Sequence, residues 1–264
     1  MIKESRENGD SSNEDASFEK RKTAFFADFA RAHASSFRPH YQRGETLGRR
    51  GQEIWRNVSK HCLVSGVLAD VLADELRFPL DLKDKIVKAA ILHDWFKKHE
   101  AEEMYAAGLE KALSIERLSE VREKDAQALR EMKVPEDVIH LTGANIPETE
   151  DGPQTISEKI IWYVDMIVSN SEILSLQKTL ANRQRGYSDE DDEEKPLRAE
   201  RQKVFSNLFR DKYKGKTLDE VQQAIGNRIE PEFAKLIGYD GDSKDLPEFL
   251  RRKIIERINQ HNSS

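Results

Sequence analysis

Cysteine is nearly absent: Cys62 is the single one in 264 residues. That excludes an internal disulfide and any four-cysteine zinc site. Long apolar runs are missing as well. The longest, such as Ile160 to Tyr163, fall far short of the roughly 20 residues that span a bilayer. Met1 to Glu19 is rich in Ser, Asn, Asp and Glu and lacks the basic start and apolar stretch of a signal peptide. We therefore expect a cytoplasmic protein with a disordered tail over residues 1–16. No basic excess is present. The formal net charge is −6, which argues against duplex DNA as a partner while leaving room for a local basic cleft. No internal repeat is visible, and strand-period alternation is almost missing. The expected class is all-α.

What is present is helical patterning on a highly charged, soluble chain, with 35% of residues charged. The spacing predicts a first helix over 17–36, with Phe18, Phe25, Phe26 and Phe29 on one side. An arginine-rich loop follows over 37–51 and includes Arg38, Arg43, Arg49 and Arg50. From Gln52 to Leu76, Val58, His61, Ser65, Leu68 and Leu72 recur three or four apart and share a face. Pro79 interrupts, and Asp81 begins a helix running through Ile86, Ala89 and Ala90 to His93. Helices are further expected over 100–116, 118–133 and 136–143, with a loop from Ile146 to Pro153. Thr155 and Glu158 form a capping-box pattern opening a long helix over 156–182. Its apolar stripe, Ile160, Ile161, Val164 and Val168, includes Asp165. An acidic run within 183–196 reads as a flexible surface loop, because like charges repel. Beyond it, helices are expected near 197–214, 217–225, 229–237 and 246–260.

Three segments carry chemistry. His61 lies on an amphipathic helix. His93 and Asp94 are adjacent at a helix end, preceded by Ala89, Ala90, Ile91 and Leu92. Asp165 sits in an aliphatic helix. The intervals of 32 and 71 residues let the chain run down one helix and return on the next, so three helices could aim these groups at one centre. Two imidazoles and two carboxylates form a mixed nitrogen and oxygen set that suits one divalent transition metal, Mn, Fe, Co, Ni or Zn, better than calcium. Such an ion polarises a phosphoryl oxygen and lowers the pKa of bound water, supplying a hydroxide nucleophile near neutral pH. His93 and Asp94 can both reach one ion only where their helix ends or bends. Singly, each residue has an ordinary structural explanation; the combination carries the metal reading.

In this order and context, H…HD…D, the sequence resembles the HD superfamily over about residues 50–180. Lys97, three residues after Asp94, matches the HD-x-x-K variants. The resemblance implies an HD-type helical bundle over 17–182, with additional C-terminal helices over 197–264 packed on it. It implies a metal-dependent phosphohydrolase acting on a nucleotide or related small phosphoester. His61, His93, Asp94 and Asp165 would ligate the metal, with Asp94 and Lys97 in catalytic roles. Arg56, Lys98 and His140 are candidates to contact substrate. His140 also stands where two-metal members place an extra histidine. Only His99 intervenes after Asp94, so one metal is expected. Lys97 and Lys98 replace the acidic pair of the alarmone hydrolases, and the Gly-Tyr-Pro motif of the cyclic-di-nucleotide hydrolases is absent.

Two other functions remain open at this point. One is a non-catalytic HD-fold binding or regulatory module. The other is a single-strand nuclease, suggested by basic and aromatic interleaving over 201–216. Phe205, Phe209 and Tyr213 are four apart, however, and so share one helical face. Packing of that face on the core explains them more simply, which argues against nucleic acid as a partner.

Overall fold

The structure is a computed structural model. It describes residues 10–33, 52–94, 114–169, 171–185 and 203–261, without the side chains of 10–14 and 52–59. The elements in chain order are α1 (Asp10–His33), α2 (Gln52–Glu75), α3 (Leu80–Leu92), α4 (Ile115–Glu131), α5 (Glu136–Thr142) and α6 (Ile156–Ile167). A two-stranded ladder follows, β1 (Val168–Ser169) and β2 (Glu172–Ile173), then α7 (Leu176–Gln184). After it come a short helix α8 over residues 203–208, then α9 (Leu218–Ile237) and α10 (Leu246–Gln260). The fold is all-α apart from that ladder. Among the described residues, no helix is long and apolar enough to cross a membrane.

The core forms where α2, α3 and α6 meet. On α2, Val67, Leu68, Val71 and Leu72 are fully buried at the spacing that makes one helical stripe. The helix stops at Arg77, whose φ of 57° is left-handed, and the Phe78 amide donates back to the Ala73 carbonyl at 3.0 Å. α3 then returns along α2 and buries Ile86, Val87, Ala89, Ala90, Ile91 and Leu92. Small residues let the two helices approach. A Cβ placed on Gly66 would lie 2.6 Å from Ile91 Cγ1.

Other elements hold this centre from outside. α9 supports α6: Tyr163 donates to Glu230 Oε1 at 3.3 Å in a buried contact, and Lys159 pairs with Glu232 at 2.7 Å. Burial pushes the Glu230 carboxyl up to about 7, although Tyr163 donates to it. α10 packs on α2 through a charge network. Lys83 reaches Asp70 at 2.9 Å and Asp74 at 2.6 Å, and Arg257 pairs with the same two carboxylates. α1 lays Phe29 into the core, and Phe25 packs edge-on against His261 at 5.6 Å. α10 thus lies against both α2 and α1.

Several boundaries depart from the sequence expectations. α1 begins at Asp10, not residue 17, because the polar stretch after Gly9 contains no helix breaker. The helix expected over 100–116 lies mostly outside the described residues. Its last part is replaced by Ser114, which caps α4 by accepting from the Arg117 amide at 3.1 Å. The helix expected over 156–182 is two helices. It stops at Ile167, Val168 turns extended (φ −97°, ψ 114°), and the chain reverses through the β1–β2 ladder. Val168 is β-branched and the Ser-Asn-Ser sequence that follows favours turns over helix. Conversely, the helices expected over 217–225 and 229–237 form one, α9, which continues through Pro231. Its buried stripe of Ile225, Ile229 and Phe233 outweighs the hydrogen bond that proline removes. The helix expected over 197–214 is described from residue 203 and gives way to turns after 208. Phe205 meets Phe209 edge-on at 5.4 Å, and Phe209 stacks on Tyr213 at 5.5 Å. Phe209 and Tyr213 are buried, and Tyr213 donates to the Pro147 carbonyl. Phe209 and Tyr213 are thereby used in packing and are not open to bases.

The contact at Gly66 predicts the outcome of Gly66→Ala. In an exposed helix the change would stabilise; here Ile91 must move, and the expected cost is about 1–3 kcal/mol. Chemical denaturation checks this, and a variant more stable than wild type would contradict it.

Candidate metal centre

Each candidate ligand is placed by a different structural device. His61 lies on the buried face of α2, and its side chain is 11% exposed. His93 caps the C-terminus of α3, and Asp94 follows it in a turn. The helix thus ends where two adjacent side chains must reach one point. Asp165 lies in the last turn of α6, among the fully buried Trp162, Tyr163, Val164 and Met166.

These devices bring the donor atoms together. His61 Nε2 and His93 Nε2 are 3.0 Å apart, and each is 3.2 Å from Asp165 Oδ1. Asp94 Oδ2 stands 3.9 Å from both imidazole nitrogens. Among the described residues, His61, His93 and Asp165 are the one group placed to hold a metal ion. His93 Nδ1 contacts the Ala90 carbonyl at 2.7 Å. A carbonyl only accepts, so Nδ1 carries the hydrogen and Nε2 is the atom with a lone pair to give.

The electrostatics follow from burial and charge. Burial alone would push the His93 imidazole down. The charge of Asp94 and the hydrogen bond and charge of Asp165, with the Ala90 carbonyl, overcome it and raise the value to about 9. Burial would raise Asp165, yet the hydrogen bonds from His61 and His93, with the charges of His93 and Arg183, hold it well below the usual carboxylate range. An arrangement that favours a cation between these groups takes a proton when no metal is bound.

The residues also fit a metal. Two donors about 2.1 Å from one ion and at right angles to each other are about 3.0 Å apart. The observed separations of 3.0–3.2 Å suit adjacent positions around a single six-coordinate transition ion. Two nitrogens and one oxygen, each oriented by a helix, leave room for further ligands.

The remaining candidates are placed differently. His140 is not brought to the cluster. α5 buries Val138, Ile139 and Leu141, so His140 faces outward, 72% exposed, and contacts Glu158 Oε1 at 3.0 Å in the first turn of α6. That is seven residues, about two helical turns, before Asp165. Lys97, Lys98, the side chain of Arg56 and the arginine-rich loop lie outside the described residues. One neighbour of the cluster escaped sequence reasoning. Arg183 on α7 has Nη2 4.0 Å from Asp165 Oδ2. Compared with known proteins, the chain matches no family model, no curated protein and no solved structure at a significant level.

Metal and proton compete for the same lone pair, which sets a pH dependence. Below about 9 the ion must displace the His93 proton. The apparent affinity for Co(II) or Mn(II) should therefore fall about tenfold per pH unit on descending from that value, and level off above it. Metal titrations across pH check this; an affinity independent of pH would contradict it.

Proposed function

We propose that this chain is a metal-dependent phosphohydrolase of the HD type, acting on a nucleotide or related small phosphoester. His61, His93, Asp94 and Asp165 would hold one divalent transition metal, Mn, Fe, Co, Ni or Zn. The observation that carries the reading is the convergence of His61 Nε2, His93 Nε2 and Asp165 Oδ1 within 3.2 Å of one another, from three separate helices. When bound, such an ion acts as a Lewis acid on a phosphoryl oxygen and activates water near neutral pH.

The chain's own residues supply the remainder. The Ala90 carbonyl fixes the His93 ring and keeps its Nε2 lone pair aimed at the cluster. Asp94, 15% exposed, is the ligand nearest solvent besides being adjacent to His93. Lys97, three residues beyond, is the group we assign to steady the phosphate, as a compact point charge. Burial of the aromatic stripe Phe209 and Tyr213 favours a small substrate over single-stranded nucleic acid.

The test compares purified wild type with Asp165→Ala, each shown to be folded, by elemental analysis and against a phosphoester panel. The reading predicts about one transition metal per chain in wild type and almost none in the variant. Loss of hydrolysis should exceed the roughly 10- to 100-fold typical of removing an outer partner of a metal ligand. Hydrolysis retained by the metal-depleted variant, or a wild type that takes up no metal, would overturn it.

A further inference from the structure

Glu230 is a carboxyl in an apolar setting. It lies on the inward face of α9, 6% exposed, among the buried Ile225, Ile229 and Phe233. Its Oε1 accepts from the Tyr163 hydroxyl at 3.3 Å across the contact between α9 and α6. Among the described residues it has no ion-pair partner. The titratable and charged groups that face it are Tyr163 from α6, and Asp242 and Lys244 from the turn leading into α10. α7 also packs on α9, with Leu176 against Gly226, and none of its charged side chains acts on Glu230. Pro231, the next residue, has no amide hydrogen to give, so α9 lacks one backbone bond beside the buried carboxyl.

Burial decides the state of this carboxyl. An ionised carboxylate held out of water without a paired cation is costly, whereas the neutral acid still offers Tyr163 an acceptor. Burial raises Glu230 from 4.5 to about 7; Asp242 pushes the same way, and Tyr163 and Lys244 push against it. Tyr163 is itself raised well above its ordinary value, by burial and by Glu230, and keeps its proton. We infer that Glu230 is a pH-sensitive latch between α9 and α6: neutral, it holds α9 against the helix that carries Asp165, and ionised, it weakens that contact. A carboxyl raised on folding stabilises the closed contact fully below 4.5, progressively less as pH rises, and no longer above about 7. The inference stands apart from the metal reading and holds for a chain that binds no metal.

The test is amide hydrogen exchange of the full chain without added metal, between about pH 5 and pH 8, in wild type and Glu230→Gln. Glutamine keeps an acceptor for Tyr163 and cannot ionise. The quantity read is the protection of each helix in wild type relative to the variant. Titration of His93 acts on both proteins alike and cancels in that ratio. For α6 and α9 the two proteins should agree within about threefold near pH 5, and wild type should be at least about tenfold less protected near pH 8. For α3 and α5, which pack on each other, the ratio should stay nearly constant. A ratio for α6 and α9 that does not change with pH would overturn the inference. So would a change shared equally by α3 and α5, since Glu230 would then bear only on the stability of the whole chain. Should Glu230→Gln not fold, wild type alone decides. Protection of α6 and α9 that falls relative to α3 and α5 as pH rises supports the latch, and protection that changes in parallel overturns it.

Discussion

Two imidazole nitrogens 3.0 Å apart, with a carboxylate oxygen 3.2 Å from each, cannot rest with lone pairs aimed at one another. Something positive has to lie among them. In the protein without metal a proton serves, which is why His93 is raised to about 9 despite its burial. A divalent cation satisfies the same three atoms better, because it meets all of them at once. The bundle holds these polar groups at the meeting of α2, α3 and α6, beside a core of aliphatic and aromatic side chains. Polar groups are costly there unless they are paired. A group that could hold a cation follows from that position, and the surrounding helices keep it in place.

The surrounding helices can be understood as means to that end. Gly66 lets α2 and α3 approach, which sets the distance between the helices bearing His61 and His93. α9 buttresses α6 through Glu230, which accepts from Tyr163, a residue two positions before Asp165. α10 covers the far side of α2 and ties it down through Asp70, Asp74, Lys83 and Arg257. These contacts keep three helices in register. A ligand set needs that rigidity, because a displacement of about 1 Å would spoil it.

Much of this was legible in the sequence, for identifiable reasons. His61 and Asp165 stood out because polar residues interrupted otherwise apolar stripes, and the adjacent His93 and Asp94 demanded a helix end, which the chain has. The capping box at Thr155 set the start of α6, and it is formed as expected. The end of α6 was not legible from periodicity, because its apolar stripe continues past Ile167 while the local preference of Ser-Asn-Ser turns the chain. Arg183 was hidden for the same reason, since its contact depends on that reversal. The direction of His140 was not legible, because order along the chain says little about it. Three apolar neighbours take the inward side of α5, and the histidine is left outside. The joining of 217–225 and 229–237 into one helix was not legible either; Gly226 lies inside it, where its missing Cβ makes room for Leu176 and Trp162.

The account depends on one ion at one place, and crystallography with cobalt can locate it directly. Crystals of the full chain grown with Co(II) should show a single anomalous peak at the cobalt edge. The peak should lie about 2.0–2.3 Å from His61 Nε2, His93 Nε2 and Asp165 Oδ1. No peak, or a peak that avoids these three atoms, would contradict the metal centre and the function built on it.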